Sequence, residues 1–433
     1  MNHFRVLMEG YMSKRNRSMV LGLLVVGLVA TCAQAQTITA PPCPGYNPVN
    51  NTNLACEIAT AIRSGAGQGG TLSSLPAALA AQVSNLPIAT AVSGTGITFV
   101  NGIPTFSTES LGTILTQRGD TLGRHRLFFS FNYQRYGFGS VDGVRFKNFD
   151  GVNTTTFTGI GTSSFVTQNR IDLTVDQFTF LGTFGITSRT DLALIVPFST
   201  VNLTTTSTGS QFNFDTKGNP VSSSQLGAIN LAGSKSGPGD VTVSLKQNVV
   251  KTEGKISMAV GSEFRIPTGD EINYLGTGAY GIKPYAVVSH TGKIFTPNFN
   301  FGYQWNSKSS LYFDPITGDH LNLPASLYYT GGLDVKLTKR LTMVGEFLGQ
   351  YVINGPRIVQ TKVPVGSSTF PSVSTTDSSG KQLTSSYSVD NMGVGFKVNP
   401  FGGLLISVGA QFKLNDNGLR AKWVPLVGAS YRF

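Results

Sequence analysis

Residues 314–320, Asp-Pro-Ile-Thr-Gly-Asp-His, bring together the residue types that hydrolysis needs: His320 with Asp314 and Asp319. An imidazole oriented by a carboxylate can activate a hydroxyl or a water. The same Pro-, Thr- and Gly-containing stretch has the make-up of a solvated turn, where carboxylates are common without chemistry. EF-hand spacing is missing, so no metal site is expected there. Of the other histidines, His3 falls in a leader-like stretch, His125 at the base of a strand and His290 in a short turn. No phosphate-cradling or dinucleotide motif follows a strand and opens a helix. The expectation is a protein that is not an enzyme and has no cofactor. A barrel hydrolase centred on His320 is the least favoured alternative.

The elements that position side chains must be inferred from composition and pattern. Charged residues make up only 13% of the 433, beside 51 Gly, 28 Phe and 14 Tyr. Ordinary soluble domains carry about 25% charge, so part of this surface needs a solvent other than water. The longest apolar run, Met19 to Ala30, is too short for a membrane-spanning helix, which takes about 20 residues. Its flanks explain it: Lys14, Arg15 and Arg17 precede it and Ala33-Gln34-Ala35 follows, so residues 1–35 are expected to be a signal peptide. Export places Cys43 and Cys56 in an oxidising compartment and makes them a disulfide candidate. The chain is basic, at +11, but has no run of basic residues to bind nucleic acid.

Residues 36–119 are rich in Thr, Ser, Ala, Gly and Pro and are expected to form a periplasmic arm or a plug of low order. From residue 120 to 433 the texture changes to period two. In "IFTPNFNFGYQW" Phe295, Phe299, Phe301, Tyr303 and Trp305 fall on one face and Thr296, Asn298, Asn300 and Gln304 on the other. Twelve candidate strands emerge: 124–136, 170–186, 191–204, 239–251, 255–267, 279–290, 294–306, 323–337, 340–353, 383–398, 403–415 and 419–433. Short and long connections alternate between them, the pattern of an all-β, antiparallel up-and-down transmembrane β-barrel. The chain stops on Phe433 inside an alternating strand, as a sheet that must close on its first strand would. Trp305, Tyr431 and Phe433 are expected in the interfacial aromatic girdle, with Phe433 also ending a C-terminal assembly signal.

With apolar faces toward lipid, polar faces line the lumen. That assigns Asp172, Asp176, Asp240, Lys246, Glu263, Arg265, Asp334, Lys336 and Glu346 to the interior or its rims, with pairs such as Glu263 and Lys246 neutralising one another. Both signs occur, so a ringed ion filter is not expected. Inner aromatics such as Phe128, Tyr285 and Tyr328 suit apolar or aromatic solutes, and Pro197 and Pro284 predict bulges.

Specific stretches resemble a known family. "GPGDVTVSLKQNVV", "KISMAVGSEFRIPTGDEINYLGTGAYGIKPYAVVS" and "NFNFGYQW" are similar to the outer-membrane family named for the meta-pathway of phenol degradation. The shared features are Gly239-Asp240 opening a strand, Pro267-Thr268-Gly269-Asp270 closing the next, Gly276-Thr277-Gly278 in the following loop, and Gly302-Tyr303. "LTQRGDTLGRHRLFFSFNYQRY" also resembles the first strand of such proteins. The resemblance implies transport of aromatic or other hydrophobic compounds across the bacterial outer membrane. The expected partners are outer-membrane lipid and lipopolysaccharide, the barrel-assembly machinery through the C-terminal strand, and a small-molecule solute. A structural or adhesion barrel is the alternative, suggested by Thr- and Ser-rich loops such as "TTTSTGS".

Overall fold

The computed structural model describes residues 53–55, 97–100, 103–106, 111, 113–157, 159–251, 256–314 and 317–432. Residues 1–35, both cysteines of the disulfide candidate (Cys43 and Cys56) and Phe433 lie outside them. Twelve strands form the wall. They are β1 (Leu127–Val141), β2 (Gly161–Gly185), β3 (Thr190–Phe214), β4 (Val241–Lys251), β5 (Ile256–Ile266) and β6 (Gly281–His290). The remainder are β7 (Phe295–Asn306), β8 (Ser326–Lys336), β9 (Leu341–Pro356), β10 (Thr384–Val398), β11 (Leu404–Lys413) and β12 (Trp423–Arg432). Each pairs antiparallel with the next, and β12 returns to β1, placing Tyr431 opposite Phe129 and Leu426 opposite Gln134. The sheet is a closed barrel. Closure leaves no unpaired strand edge, which is what a sheet surrounded by hydrocarbon requires.

Alternation fixes which face is which. On β7 the outward Phe299 is 65% exposed while its neighbour Asn298 is fully buried in the interior. Phe301, Tyr303 and Trp305 continue the apolar outer stripe, and Thr296, Gln304 and Asn306 the polar inner one. A soluble barrel would show the reverse, so the outer wall needs an apolar solvent. An arginine at the middle of such a band costs about 2–4 kcal/mol. Phe299→Arg is therefore expected to lower the temperature at which the barrel unfolds in lipid vesicles, read as the shift between folded and unfolded bands on a gel.

The connections 186–189, 291–294, 337–340 and 399–403 are short and share one end; the long loops share the other. Strands β2 and β3 have 25 residues each, far beyond the roughly 9–11 that cross a bilayer. Their excess projects past the long-loop end, where strand Pro220–Pro238 extends the sheet along β3.

The projection explains one misplacement by sequence reasoning. On β2 the outward residues Phe178, Phe180 and Phe184 give way to Asp176, Thr174 and Asp172, while the inward ones change from Gln177 and Thr179 to Val175, Leu173 and Ile171. The opposite residues on β3 switch at the same height, since Phe178 faces Phe198 and Asp176 faces Thr200. Above that level the outer face meets water and the inner face packs on a protein core. Asp172 and Asp176 thus stand on the outer face and not in the lumen. Asp176 accepts a hydrogen bond from Tyr133 Oη at 2.6 Å and lies 3.6 Å from Arg135. Trp305 and Trp423 are exposed at the long-loop ends of β7 and β12, and Tyr431 at the short-turn end of β12.

Candidate transport site

The lumen holds chain from before β1. Residues 111 and 113–122 cross it at the short-turn end, and side chains of the wall bind their backbone. Glu346 Oε1 accepts from the amides of Ile114 (3.2 Å), Leu115 (2.8 Å) and Thr116 (2.7 Å) and from Thr116 Oγ1 (3.0 Å). Asn300 takes the amide of Gln117 at 3.1 Å and returns a bond to its carbonyl at 2.9 Å. Lys246 donates to the carbonyls of Arg118 and Asp120, Lys397 to that of Thr113, and Asn248 to that of Gly119. Asp191 accepts from the amide of Leu122, and Arg432 donates to its carbonyl. The segment is irregular, so it cannot satisfy its own backbone, and buried amides need partners. A β-carbon on Gly119 would sit 2.5 Å from the carbonyl oxygen of Ser257, so only glycine fits that turn.

Some interior charges bind the crossing segment, and others pair with one another. Lys246 and Glu346 bind the crossing segment, and Asp334, fully buried, lies within Coulombic reach of Lys397 and Glu346. Lys336 is on the same face of β8 as Asp334, at the rim. Glu263 pairs not with Lys246 but with Lys283, its direct neighbour on β6, at 2.6 Å, and accepts from Gln117 Nε2 at 3.1 Å. Lys246 is opposite Gly261, one inward position further down, and is taken up by the floor.

A lid of outer loops closes the long-loop end. Its apolar cluster joins Leu54 and Ala55 to Tyr136, Phe138, Phe146, Phe149, Leu275, Leu311, Ile358 and Leu419. Two buried carboxylates fasten it. Asp240 accepts from the amides of Gly269 (3.1 Å) and Thr277 (2.8 Å) and from Thr277 Oγ1 (2.5 Å), with Arg265 at 3.9 Å. Thr268 Oγ1 donates to Gly239 O and accepts from the amide of Val241. Gly269 and Gly276 meet so closely that a β-carbon on either would lie 2.7 Å from the other's Cα. Gly239-Asp240, Thr268-Gly269 and Gly276-Thr277 thus form one clamp, which folds 267–280 inward and puts Tyr274 and Leu275 into the lid. Asp142, in turn, accepts from the amides of Ile358 and Gly418 and lies 3.4 Å from Arg357.

Burial raises the pKa of both Asp142 and Asp240, against the opposing pull of their donors and arginines. The clamped carboxyl therefore holds its proton more tightly than a free one does. The proton-linked part of its contribution to closure is fullest below the ordinary carboxylate pKa and is lost as pH rises through the clamped value. Amide protection at Gly269 and Thr277, corrected for intrinsic exchange, is expected to rise as pH falls from 7 to 4.

Between floor and lid lies a cavity of about 290 Å³ lined by residues of all twelve strands. Tyr136, Phe138, Val175, Ile195, Leu348 and Val352 make an apolar side; Arg265, Glu263, Lys283, Tyr285, Gln304 and Tyr328 make a polar one. Gln177 Oε1, Tyr274 Oη and Gln411 Nε2 are buried among its walls without a hydrogen-bond partner. His320 stands apart from the cavity lining, next to a turn in which Asp314 and Asp319 bond to each other's backbone. Among the described residues no cluster of His, Cys, Asp and Glu could hold a metal ion.

Sequence reasoning missed Lys283, Lys397 and Asp191; it put Asn300 on the inner, polar face without singling it out as a site residue. Lys397 had a usable signal, as a lone cation between outward Phe396 and Val398. Lys283 had none, because Pro284 and Tyr285 break the alternation beside it.

The fold and site define a closed β-barrel with an apolar outer wall and an internal chamber. Residues 153–420 match the family described as "Putative MetA-pathway of phenol degradation", and the chain belongs to it. No curated protein sequence matches. Among solved structures, an outer membrane channel from Pseudomonas putida F1 is 11% identical over 73% of this chain and 99% of that one, with a TM-score of 0.44. The CymD monoaromatic hydrocarbon channel is 9% identical over 72% and 89%, with a TM-score of 0.32. A Pseudomonas aeruginosa FadL homologue is 10% identical over 71% and 90%, with a TM-score of 0.29.

Proposed function

We propose that the protein is an outer-membrane transporter for small, hydrophobic or aromatic solutes. The lumen chamber carries this reading. A dry apolar cavity of about 150 Å³ takes benzene, and this one, at about 290 Å³, has room for a substituted single ring. Its apolar side supplies binding, and the unpartnered amides of Gln177 and Gln411 and the hydroxyl of Tyr274 supply polar contacts that such a solute lacks elsewhere in the bilayer. The family's description, which names phenol degradation, points the same way. In this reading residues 1–35 direct export, 36–119 include the lumen plug, and 120–433 form the barrel. The long loops face outward toward lipopolysaccharide, and the C-terminal strand is the segment the assembly machinery receives. The test is uptake of radiolabelled toluene by cells with and without the protein, beside an equally small sugar. Toluene uptake should rise severalfold and sugar uptake should not. Equal toluene uptake in both strains would refute the reading.

A further inference from the structure

We propose that the chamber holds its solute by a single carboxylate, so that the class it favours is a one-ring aromatic acid; this rests on the transport reading above and narrows it. The charge of the lining carries the inference. Among the described residues, the charged groups that line the chamber are Asp240, Glu263, Arg265, Lys283 and Arg420. Arg265 lies 3.9 Å from Asp240 and Lys283 lies 2.6 Å from Glu263, so these four cancel in pairs. Arg420 is left over.

Arg420 is 3% exposed, and its bonds go to neutral acceptors. Nη2 donates to the backbone carbonyl of Asp390 at 2.6 Å and to Asn391 Oδ1 at 2.9 Å, while Nε has no partner. The carboxylates within its Coulombic reach, Asp390 and Asp416, are engaged elsewhere. Asp390 accepts from Tyr329 Oη, Ser388 Oγ and Asn415 Nδ2, and Asp416 pairs with Lys413. A buried charge needs a partner, so a solute that brings an anion to Arg420 is bound in preference to its neutral counterpart.

A second donor stands beside it. Gln411 is 3% exposed, lines the same chamber, and has no acceptor for Nε2. On the β10–β11 ladder Asn391 is opposite Lys413 and Gly393 opposite Gln411. Asn391, which holds the guanidinium, and Gln411 are therefore diagonal neighbours on the inner face, about 7–8 Å apart in such a ladder. Both unpartnered groups are N–H donors, and a carboxylate, which only accepts, matches them. The place for the ring adjoins. Ala421, next to Arg420, is opposite Phe138 on β1, and Phe138 stacks on Tyr136 with centroids 5.8 Å apart. Leu348 and Val352 of β9 complete that apolar side. Because Arg265 and Lys283 are already paired, a second carboxylate finds no cation, and the site selects a monoacid over a diacid.

Radiolabelled benzoate and toluene test the site together. Cells making the protein should take up benzoate severalfold faster than cells lacking it, and unlabelled benzoate should compete with labelled toluene. Arg420→Gln should lower benzoate uptake at least tenfold relative to toluene. Gln411→Leu should lower it in the same sense by less, and it carries the test if Arg420→Gln does not fold. An unchanged benzoate-to-toluene ratio in the folded variants, or toluene uptake without benzoate uptake in the wild type, would overturn the carboxylate site and leave the transport reading standing. Wild-type cells that take up neither solute faster than cells lacking the protein would overturn both.

Discussion

Glu346→Ala is expected to raise, by tenfold or more, the rate at which a charged, water-soluble maleimide labels a cysteine placed at Gln411, on the chamber wall. One carboxylate oxygen accepts four donors of the crossing segment. Hydrogen bonds to a charged acceptor contribute about 1.5–3 kcal/mol each, and a buried amide left unpaired costs a similar amount. Each 1.4 kcal/mol is a factor of ten, so losing one net bond already gives the expected change. Glu346→Gln keeps an acceptor at the same place and should give a smaller rise. Thr342→Ala removes only the bond to the amide of Leu111 and should give the smallest. The order Ala, Gln, then Thr342→Ala separates a latch from general loosening, which would make no such ranking. Labelling in Glu346→Ala at the wild-type rate would show that residues 111–122 do not bar the short-turn end.

The barrel was legible because its solvent is written into every strand. The strands follow from alternation, since one face meets hydrocarbon and the other a polar lumen, and β6, interrupted at Pro284 and Tyr285, shows it least. Where that contrast inverts, the same rule fails, as it does for Asp172 and Asp176 above the bilayer. The floor was not legible for another reason. Residues 111–122 have no period, and their partners lie up to 310 positions away, each wall residue contributing one or two polar atoms. Nothing local marks Asn300 or Lys397 as the partner of a backbone group so remote. The family motif lay between these cases. Its glycines and Asp240 stood out as a pattern, but only the folded loop shows that they form one clamp around a carboxylate, and so describe a lid instead of a solute contact.

That clamp makes the second large prediction. Asp240→Ala leaves the amides of Gly269 and Thr277 and the Thr277 hydroxyl without their acceptor, and Arg265 without its anion. Breaking a buried charged pair from one side costs about 3–5 kcal/mol. The loss falls on 267–280, which can swing into water, so the barrel itself should keep its unfolding temperature. Tyr274 and Leu275 leave the lid with the loop, and Gln411→Cys should label tenfold faster from the long-loop end. Ion flow needs both ends open at once, because two closures in series conduct no better than the tighter one. Planar bilayers should therefore show almost no current for Asp240→Ala or Glu346→Ala alone, and steady current for the two together. A large conductance in either single variant would mean that the other closure does not seal the lumen. No current in the pair would place the barrier inside the chamber, between Tyr285 and the apolar side.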